Sequence, residues 1–297
     1  MSKQRPQPTR RAPQAHSGGG QLVLVATPIG NLGDLSPRAI EALRSADVIG
    51  CEDTRRLATL LSHAGITRPE IVLVNEHTEH EAAAAIASLV AQGHTVALTS
   101  DAGMPAISDP GERVVRAVLD NGGHVTAVPG PSSLTMALAV SGLPTARFVM
   151  EGFLPRSGSV RPQRLAALAR EERTIVLFEA PHRLARTLAD LSGALGGQRR
   201  IAISRELTKL HEECWRGTLA EACVDATARE PRGEYVLVID GGQAQAPPDE
   251  TAIDRALEAA RERGLSRKDS VTEVSTLLGV AKNLVYERSL HLPERSS

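Results

Sequence analysis

A chain of 297 residues with 34 basic and 35 acidic side chains, formal net charge −1, is long enough for two domains. That balance excludes a protein that grips nucleic acid through overall charge alone. Aromatic residues make up 2% of a sequence that is 41% hydrophobic, so the core must be built from Leu, Val, Ile and Ala, and stacking on aromatic rings is not expected as the main binding device. No run approaches the ~20 apolar residues of a membrane span, and the N-terminus lacks the apolar block of a signal peptide. Cys51, Cys214 and Cys223 share no metal-like spacing and leave one over in any disulfide scheme. Three buried, reduced thiols and a cytoplasmic location are expected.

Residues 1–20 contain Lys3, Arg5, Arg10 and Arg11, three prolines and no acid, and read as a disordered basic arm. From Gln21 onward, short Val/Leu/Ile runs alternate with amphipathic segments, the pattern of βαβ units and parallel sheets. The fold class is α/β. A first domain, 21–143, takes strands at Leu22–Ala26, Val48–Cys51, Ile71–Val74, Thr95–Thr99 and His124–Val128. Ser36-Pro37 reads as an N-cap followed by proline at the first helical position, and Asp109-Pro110 with Glu112 reads the same way. Gly93 and Gly122-Gly123 sit where helices should end.

A second α/β domain, 144–242, begins at a hinge around Pro144. Its strands are placed at Phe148–Glu151, Thr174–Phe178, Arg200–Ser204, Glu212–Arg216 and Tyr235–Ile239, with helices near Arg161–Arg170, His182–Leu195 and Leu219–Thr227. Residues 243–297 read as a linker and a small helical extension, with helices near Glu250–Arg263, Lys268–Leu277 and Ala281–Leu290.

In an open parallel sheet the ligand lies beyond the carboxyl ends of the strands. The loops there are Thr27-Pro28-Ile29-Gly30-Asn31-Leu32-Gly33-Asp34, the stretch from Ser100 to Gly111, and Pro129-Gly130-Pro131-Ser132-Ser133. Neither a G-x-G-x-x-G fingerprint nor a G-x-x-x-x-G-K-[ST] loop occurs, which removes support for dinucleotide or NTP binding by those routes. A cationic, adenosine-bearing ligand would want small residues under its rings and a carboxylate. Asp101 could supply the latter, or serve only as a turn-forming residue. In the second half, Arg205, Glu206, Lys209, His211 and Glu212 crowd one short run, either as working groups or as a surface charge cluster. His77-Thr78-Glu79-His80 has the wrong spacing for an H-E-x-x-H helix, so it reads as a helix start or substrate contact, and no metal site is expected.

Six motifs occur in order: ATPIGNLGDLSPRA, CEDTR, LTSDAGMPAISDPG, VPGPSS, FEAPHR and RELTKLHEE. Together they resemble the ribosomal RNA small subunit methyltransferase I family, the 16S ribosomal RNA cytidine 2′-O-ribose methyltransferases of the tetrapyrrole methylase class. The resemblance runs from about Leu22 to Gly242. It implies two α/β domains with S-adenosylmethionine held in the cleft between them, a homodimer, and a decoding-region cytidine of 16S ribosomal RNA, within the small ribosomal subunit, as substrate. By motif position, Pro28, Asp101, Gly103, Ile107, Ser132 and Ser133 would border the cofactor from the first domain, and Phe178, Leu207 and Gly233 from the second.

The Thr27-Pro28-Ile29-Gly30-Asn31 loop differs from the G-P-G-D type loop of porphyrin and corrin methylases, which favours RNA. A tetrapyrrole C-methyltransferase and a non-catalytic ribosome-assembly protein are the alternatives. Removing the 2′-hydroxyl proton calls for a base. Lys209 is the first candidate if burial or a neighbouring cation lowers its pKa, and Glu206 the second; gripping phosphate and orienting a neighbour are their other readings. Arg55, Arg56, Arg156, Arg161, Arg183 and Arg205 are expected to line an RNA path. The segment from Lys268 to Tyr286 suggests a helix-turn-helix-like RNA surface, with a dimer-stabilising appendage as the other reading.

Overall fold

The apolar run Gln21–Val25 forms β1, the strand around which the first sheet is built. It pairs in parallel with β4 (Thr95–Thr99) on one side and β5 (His124–Val128) on the other. β2 (Val48–Cys51) and β3 (Glu70–Leu73) complete the order β3-β2-β4-β1-β5. Parallel neighbours require crossovers, and helices supply them. These are α1 (Pro37–Ser45), α2 (Thr54–Ala64), α3 (Glu79–Ala91) and α4 (Glu112–Asp120). Because successive side chains point to opposite faces, Leu22, Val96 and Leu98 pack towards α3 and α4, and Val23, Val25 and Ala97 towards α1 and α2. The structure is a computed structural model that describes residues 19–67, 70–228, 230–242 and 249–291. The basic arm as far as residue 18 and the linker at 243–248 lie outside the described residues.

Caps follow the sequence at α1, where Ser36 Oγ accepts from the Ala39 N–H at 3.1 Å and Pro37 opens the helix. The α4 start departs from expectation. Asp109-Pro110 remains in the loop, and the helix begins two residues later behind Gly111 at φ +135°. The cap comes from a distant residue: Glu79 Oε1 accepts from the N–H groups of Gly111 at 2.8 Å and Arg113 at 3.1 Å. A carboxylate at a helix N-terminus satisfies orphan donors and the dipole together. That is the task of the His77–His80 stretch, and no cluster of metal-ligating residues exists among the described residues.

α5 (Ser133–Val140) leads to a second, mixed sheet. Its strands are β6 (Phe148–Phe153), β7 (Thr174–Glu179), β8 (Arg200–Arg205), β9 (Glu213–Thr218) and β10 (Tyr235–Ile239), in the order β6-β7-β10-β8-β9. Only β6 and β7 run parallel, since β8 turns directly into β9 with no helix between them. β10 lies antiparallel between β7 and β8. One face, with Ile175, Leu177, Ile201 and Leu237, is covered by α6 (Val160–Ala169), α7 (Leu184–Leu195) and α8 (Leu219–Ala228). Val176, Ala202, Val236 and Val238 on the other face pack against Ala137 and Leu138 of α5 and against Ile29 and Leu207. Two lobes thus share one apolar seam, and Val176 and Val238 are fully buried in it, each worth about 1.5–3 kcal/mol.

Contacts divide the chain after Gly242. The C-terminal unit is three helices, α9 (Glu250–Glu262), α10 (Arg267–Leu278) and α11 (Lys282–His291). It has its own core of Ile253, Leu257, Ala260, Val271, Val274 and Val285, and the helical 3–4 spacing of the first three residues marks a single buried stripe. Asp249 and Ser266 cap α9 and α10, and Gly279 at φ +65° ends α10. No described helix is long and apolar enough to cross a membrane. All three cysteines are free; Cys51 is buried as expected, but Cys214, on the edge strand β9, and Cys223, packed on the rim of the helix-covered core, are only half-buried. Burial, then the charges of Asp101 and Asp53, push the Cys51 thiol up to about 11.

Candidate active site

The loops after β1 and β4 are tied by reciprocal backbone hydrogen bonds, with Thr27 N–H donating to Gly103 O at 2.8 Å and Gly103 N–H to Thr27 O at 3.1 Å. Thr27 Oγ1 also donates to Ser100 O at 3.1 Å. The loop after β5 lies against them, since a Cβ on Gly130 would stand 2.9 Å from Cβ of Ala26. Gly30 meets the opposite lobe. A Cβ there would overlap Cγ of Lys209 and come within 3.1 Å of Leu207 O. The Gly30 backbone therefore lies directly against Lys209, Thr208 and Leu207 of the β8–β9 loop, the close approach that glycine permits.

Between these loops runs a cleft of about 300 Å³. Ile29, Ala102, Ile107, Asp109 and Ser133 line it from the first lobe, and Phe153, Phe178, Glu179, Leu207, Glu234 and Tyr235 from the second. Among the described residues, three carboxyl groups border it and no Lys or Arg does. Glu179 is fully engaged by Thr187 Oγ1, the Ala180 N–H and Arg183. Among the described residues, no cation acts on Asp109. Burial first, then Glu52 and Asp101, push its carboxyl up to about 6 against a hydrogen bond from Ser100.

Among the described residues, the non-glycines with left-handed backbone are Ala106 (φ 68°), Ser108 (φ 60°), Glu206 (φ 51°) and Thr208 (φ 67°). All four belong to the two loops that face each other across the cleft. Such conformations cost about 1–3 kcal/mol each and cluster at working sites.

Of the nine residues expected beside a cofactor, Ile107, Ser133, Phe178 and Leu207 line this cleft. Pro28 and Asp101 instead line a separate depression of about 70 Å³ with Cys51, Asp53 and Arg56. Asp101 is occupied there, accepting from the Asp53 N–H at 3.1 Å and pairing with Arg56 at 3.3 Å. Gly103 forms the bridge to Thr27, and Ser132 is the N-cap residue of α5. Gly233, at φ +80°, makes room for Glu206, whose Cδ would stand 2.5 Å from a Cβ at that position.

Lys209 does not meet the condition for a neutral base. Burial pulls its pKa down, but hydrogen bonds to Glu206 at 2.8 Å and Glu234 at 2.9 Å outweigh it, and the ammonium is held above its ordinary range. Its neighbours are two carboxylates and not a cation, and burial alone does not overcome them. Glu206 is committed to the Lys209 ammonium and the Glu234 N–H.

The arginines separate equally sharply. Arg161 is 4% exposed and spent on Asp190, Thr187 and Pro155 O, so phosphate cannot reach it. Arg183 is turned inward to Glu179 and Leu154 O. Arg205 is half-buried against Glu213 and Arg232 O, whereas Arg55, Arg56 and Arg156 are exposed, Arg55 beside Asp53 and Arg56 beside Asp101.

Sequence reading took Asp109 as a helix cap and missed Phe153 as a cleft residue, and it noted Glu234 and Tyr235 before the last strand without giving either a role. Scarcity was the overlooked signal: Phe153, Phe178 and Tyr235, three of the chain's six aromatic residues, line one cleft. Rings contribute to this site more than the composition suggested.

Residues 21–223 match the family model for Tetrapyrrole (Corrin/Porphyrin) Methylases. Ribosomal RNA small subunit methyltransferase I of Synechocystis is 44% identical over 275 residues, 92% of this chain and 98% of that one. This chain belongs to the ribosomal RNA small subunit methyltransferase I family. The family member of the same name from Thermotoga maritima is 46% identical over 222 residues, 75% of this chain and 99% of its own. A quarter of the present chain thus has no counterpart in that relative. A solved uroporphyrin-III C-methyl transferase from Thermus thermophilus, complexed with S-adenyl homocysteine, shares the fold at a TM-score of 0.50 and 23% identity, covering 75% of this chain and 97% of that one.

Proposed function

We propose that this family member transfers a methyl group from S-adenosylmethionine to small-subunit ribosomal RNA, at the 2′-hydroxyl of a decoding-region cytidine of the 16S molecule. The observation that carries the reading is the inter-lobe cleft bordered by carboxyl groups, small residues and rings, with no basic side chain in its lining. A sulfonium and an ammonium suit such a lining; Ala102 and Ala180 leave room for flat groups, and Phe178 and Leu207 keep water out. Thr208 Oγ1, buried without a hydrogen-bond partner where the two loops meet, is a further group fitted to a polar ligand.

When bound, the cofactor supplies an electrophilic methyl group. The chain's part is to align the acceptor hydroxyl and take its proton. Asp109 fits the second task better than Lys209 or Glu206, because it lines the cleft and titrates at about 6 with no cation acting on it. Ionised, it can accept the hydroxyl proton near neutral pH.

Acid lining also favours RNA over the tetrapyrrole alternative. A carboxylate-rich macrocycle must bring its own charges into the cleft, whereas RNA can insert one neutral nucleoside and leave phosphates outside, where Arg55, Arg56 and Arg156 are exposed. A homodimer acting in the cytoplasm on the small subunit completes the proposal. α10 and α11 are joined by the short turn Gly279-Val280-Ala281, a spacing compatible with a helix-turn-helix RNA surface.

The test is transfer of label from methyl-labelled S-adenosylmethionine to unmodified small subunits, followed by nuclease mapping. Label on a cytidine ribose supports the assignment. Label on a base, or on a porphyrinogen only, overturns it.

A further inference from the structure

Strand β6 contains one residue too many. Its register with β7 runs Phe148↔Thr174, Val149↔Ile175 and Met150↔Val176, then resumes at Gly152↔Leu177 and Phe153↔Phe178. Glu151 is the extra residue of a β-bulge, and it is pinned by an ion pair with Arg164 of α6 at 2.6 Å. Simple alternation would put Phe153 on the face of Val149, which packs against the helix-covered core. The bulge moves it to the face of Val176 and Phe178, the side of the inter-lobe seam. Bulges beside active sites commonly re-aim a side chain in this way. Gly152, at φ +70°, completes the turn next to the strained loop of the first lobe, since a Cβ there would stand 3.6 Å from Ser108 Oγ.

The re-aimed ring is 54% exposed while lining the cleft. Phe178 does not cover it: the ring centroids are 5.7 Å apart and the planes are inclined at 56°, so a flat face of Phe153 stays open. Phe178 is the inner ring, packed against the seam, and Phe153 the outer one. With the cofactor in a cleft of about 300 Å³, only the rim is left to a polynucleotide, which can present one unstacked nucleotide there.

We propose that Phe153 is the platform on which the base of the target nucleotide stacks, so that the ribose is delivered to the cleft from a base held at its rim. This rests on the RNA-methylation reading above and adds a specificity-determining residue to it. Stacking recognises a ring by its face, and a sugar hydroxyl can be reached from that position without any hydrogen bond to the base.

The experiment uses the full chain, unmodified small subunits and labelled S-adenosylmethionine, with S-adenosylhomocysteine binding followed by calorimetry. Phe153→Ala is expected to raise KM for subunits roughly five- to 150-fold, the range of one lost base–aromatic stack. Affinity for S-adenosylhomocysteine should stay within about twofold, and Phe153→Tyr should recover most of the loss while Phe153→Leu should not. Phe153→Ala with unchanged KM for subunits, or with a weakened cofactor site as its main defect, overturns the platform while leaving the methyltransferase reading standing. Failure of the wild-type protein to label any subunit RNA sinks that reading and the platform with it. A melting curve for each variant separates folding from function, and Phe153→Leu preserves the apolar volume if Phe153→Ala proves unstable.

Discussion

Gly30 and Lys209 occupy adjoining space from opposite lobes, so closely that a Cβ on the glycine would overlap Cγ of the lysine and stand 2.8 Å from Thr208 Oγ1. Gly30→Ala must therefore push the β8–β9 loop away. Overpacking of this kind costs about 1–3 kcal/mol, and the separated lobes should bind S-adenosylhomocysteine at least about tenfold more weakly, a loss of about 1.4 kcal/mol. Calorimetry on the variant checks this; undiminished affinity would show that the contact plays no part in shaping the cleft.

Lys209 is expected to work as a fixed cation. Lys209→Arg should keep turnover within about tenfold of wild type, whereas a neutral base at this position would be abolished by arginine. Lys209→Met should lower stability at pH 7 by on the order of 1–3 kcal/mol, because Glu206 loses its partner. Burial raises the Glu206 carboxyl, but the Lys209 and Glu234 hydrogen bonds outweigh it and hold the carboxyl below its ordinary 4.5. Its contribution is present above that value and lost as pH falls through the depressed folded one. Lys209, raised above 10.5 against burial by Glu206 and Glu234, stays charged throughout the range below, so at the acid end the pair is limited by its carboxylates. Melting curves of wild type and Lys209→Met should accordingly converge in acid.

Asp109 has the opposite sign. Its folded carboxyl sits at about 6 against an ordinary 3.8, so stability declines as pH rises from the lower value to the higher and stays reduced above it. Asp109→Asn should raise the melting temperature at pH 8 and leave it unchanged near pH 3. Turnover of the wild type should climb through about pH 6 as the carboxylate forms, and that step should vanish in the variant. A wild-type profile flat across this interval would remove Asp109 from proton transfer.

Arg161 and Arg156 make a paired test of which arginines meet RNA. Arg161→Ala strips a buried guanidinium from Asp190 and should cost about 3–5 kcal/mol of stability. The salt dependence of RNA binding by the folded protein should not change. Arg156→Ala should barely move the melting temperature and should reduce the slope of log affinity against log salt by about 0.7 to 0.9 for one phosphate contact. Interchanged outcomes would mean that the two side chains have been assigned the wrong roles.

Strands and helices were legible because periodicity and caps are local. Val48–Cys51, Thr95–Thr99, His124–Val128 and Tyr235–Ile239 form as the pattern indicates, and the three C-terminal helices lie within about two residues of their expected ends, the usual uncertainty of such boundaries. What escaped was non-local. Asp109 looked like a cap because Asp-Pro before a helix normally is one, and nothing in the sequence says that Glu79, 32 residues away, takes that place. Arg161 and Arg156 are chemically identical in a string of letters, and only the packing of α6 on α7 sends one inside. Phe153 was hidden by the bulge, since alternation places it on the wrong face. The antiparallel position of β10 likewise depends on partners that no short window contains.

Ala106, Ser108, Glu206 and Thr208 hold left-handed backbone that glycine would adopt at lower cost. An engineer seeking a more heat-resistant protein would find glycine attractive at Ala106, Ser108 and Thr208, with gains of up to about 1 kcal/mol apiece, but not at Glu206, whose carboxylate holds Lys209 and the Glu234 N–H. Every such gain would loosen a loop that borders the cleft. The cheapest route to a hardier molecule therefore runs through the segments on which its chemistry is proposed to depend, and screens that reward melting temperature alone will tend to select idle protein.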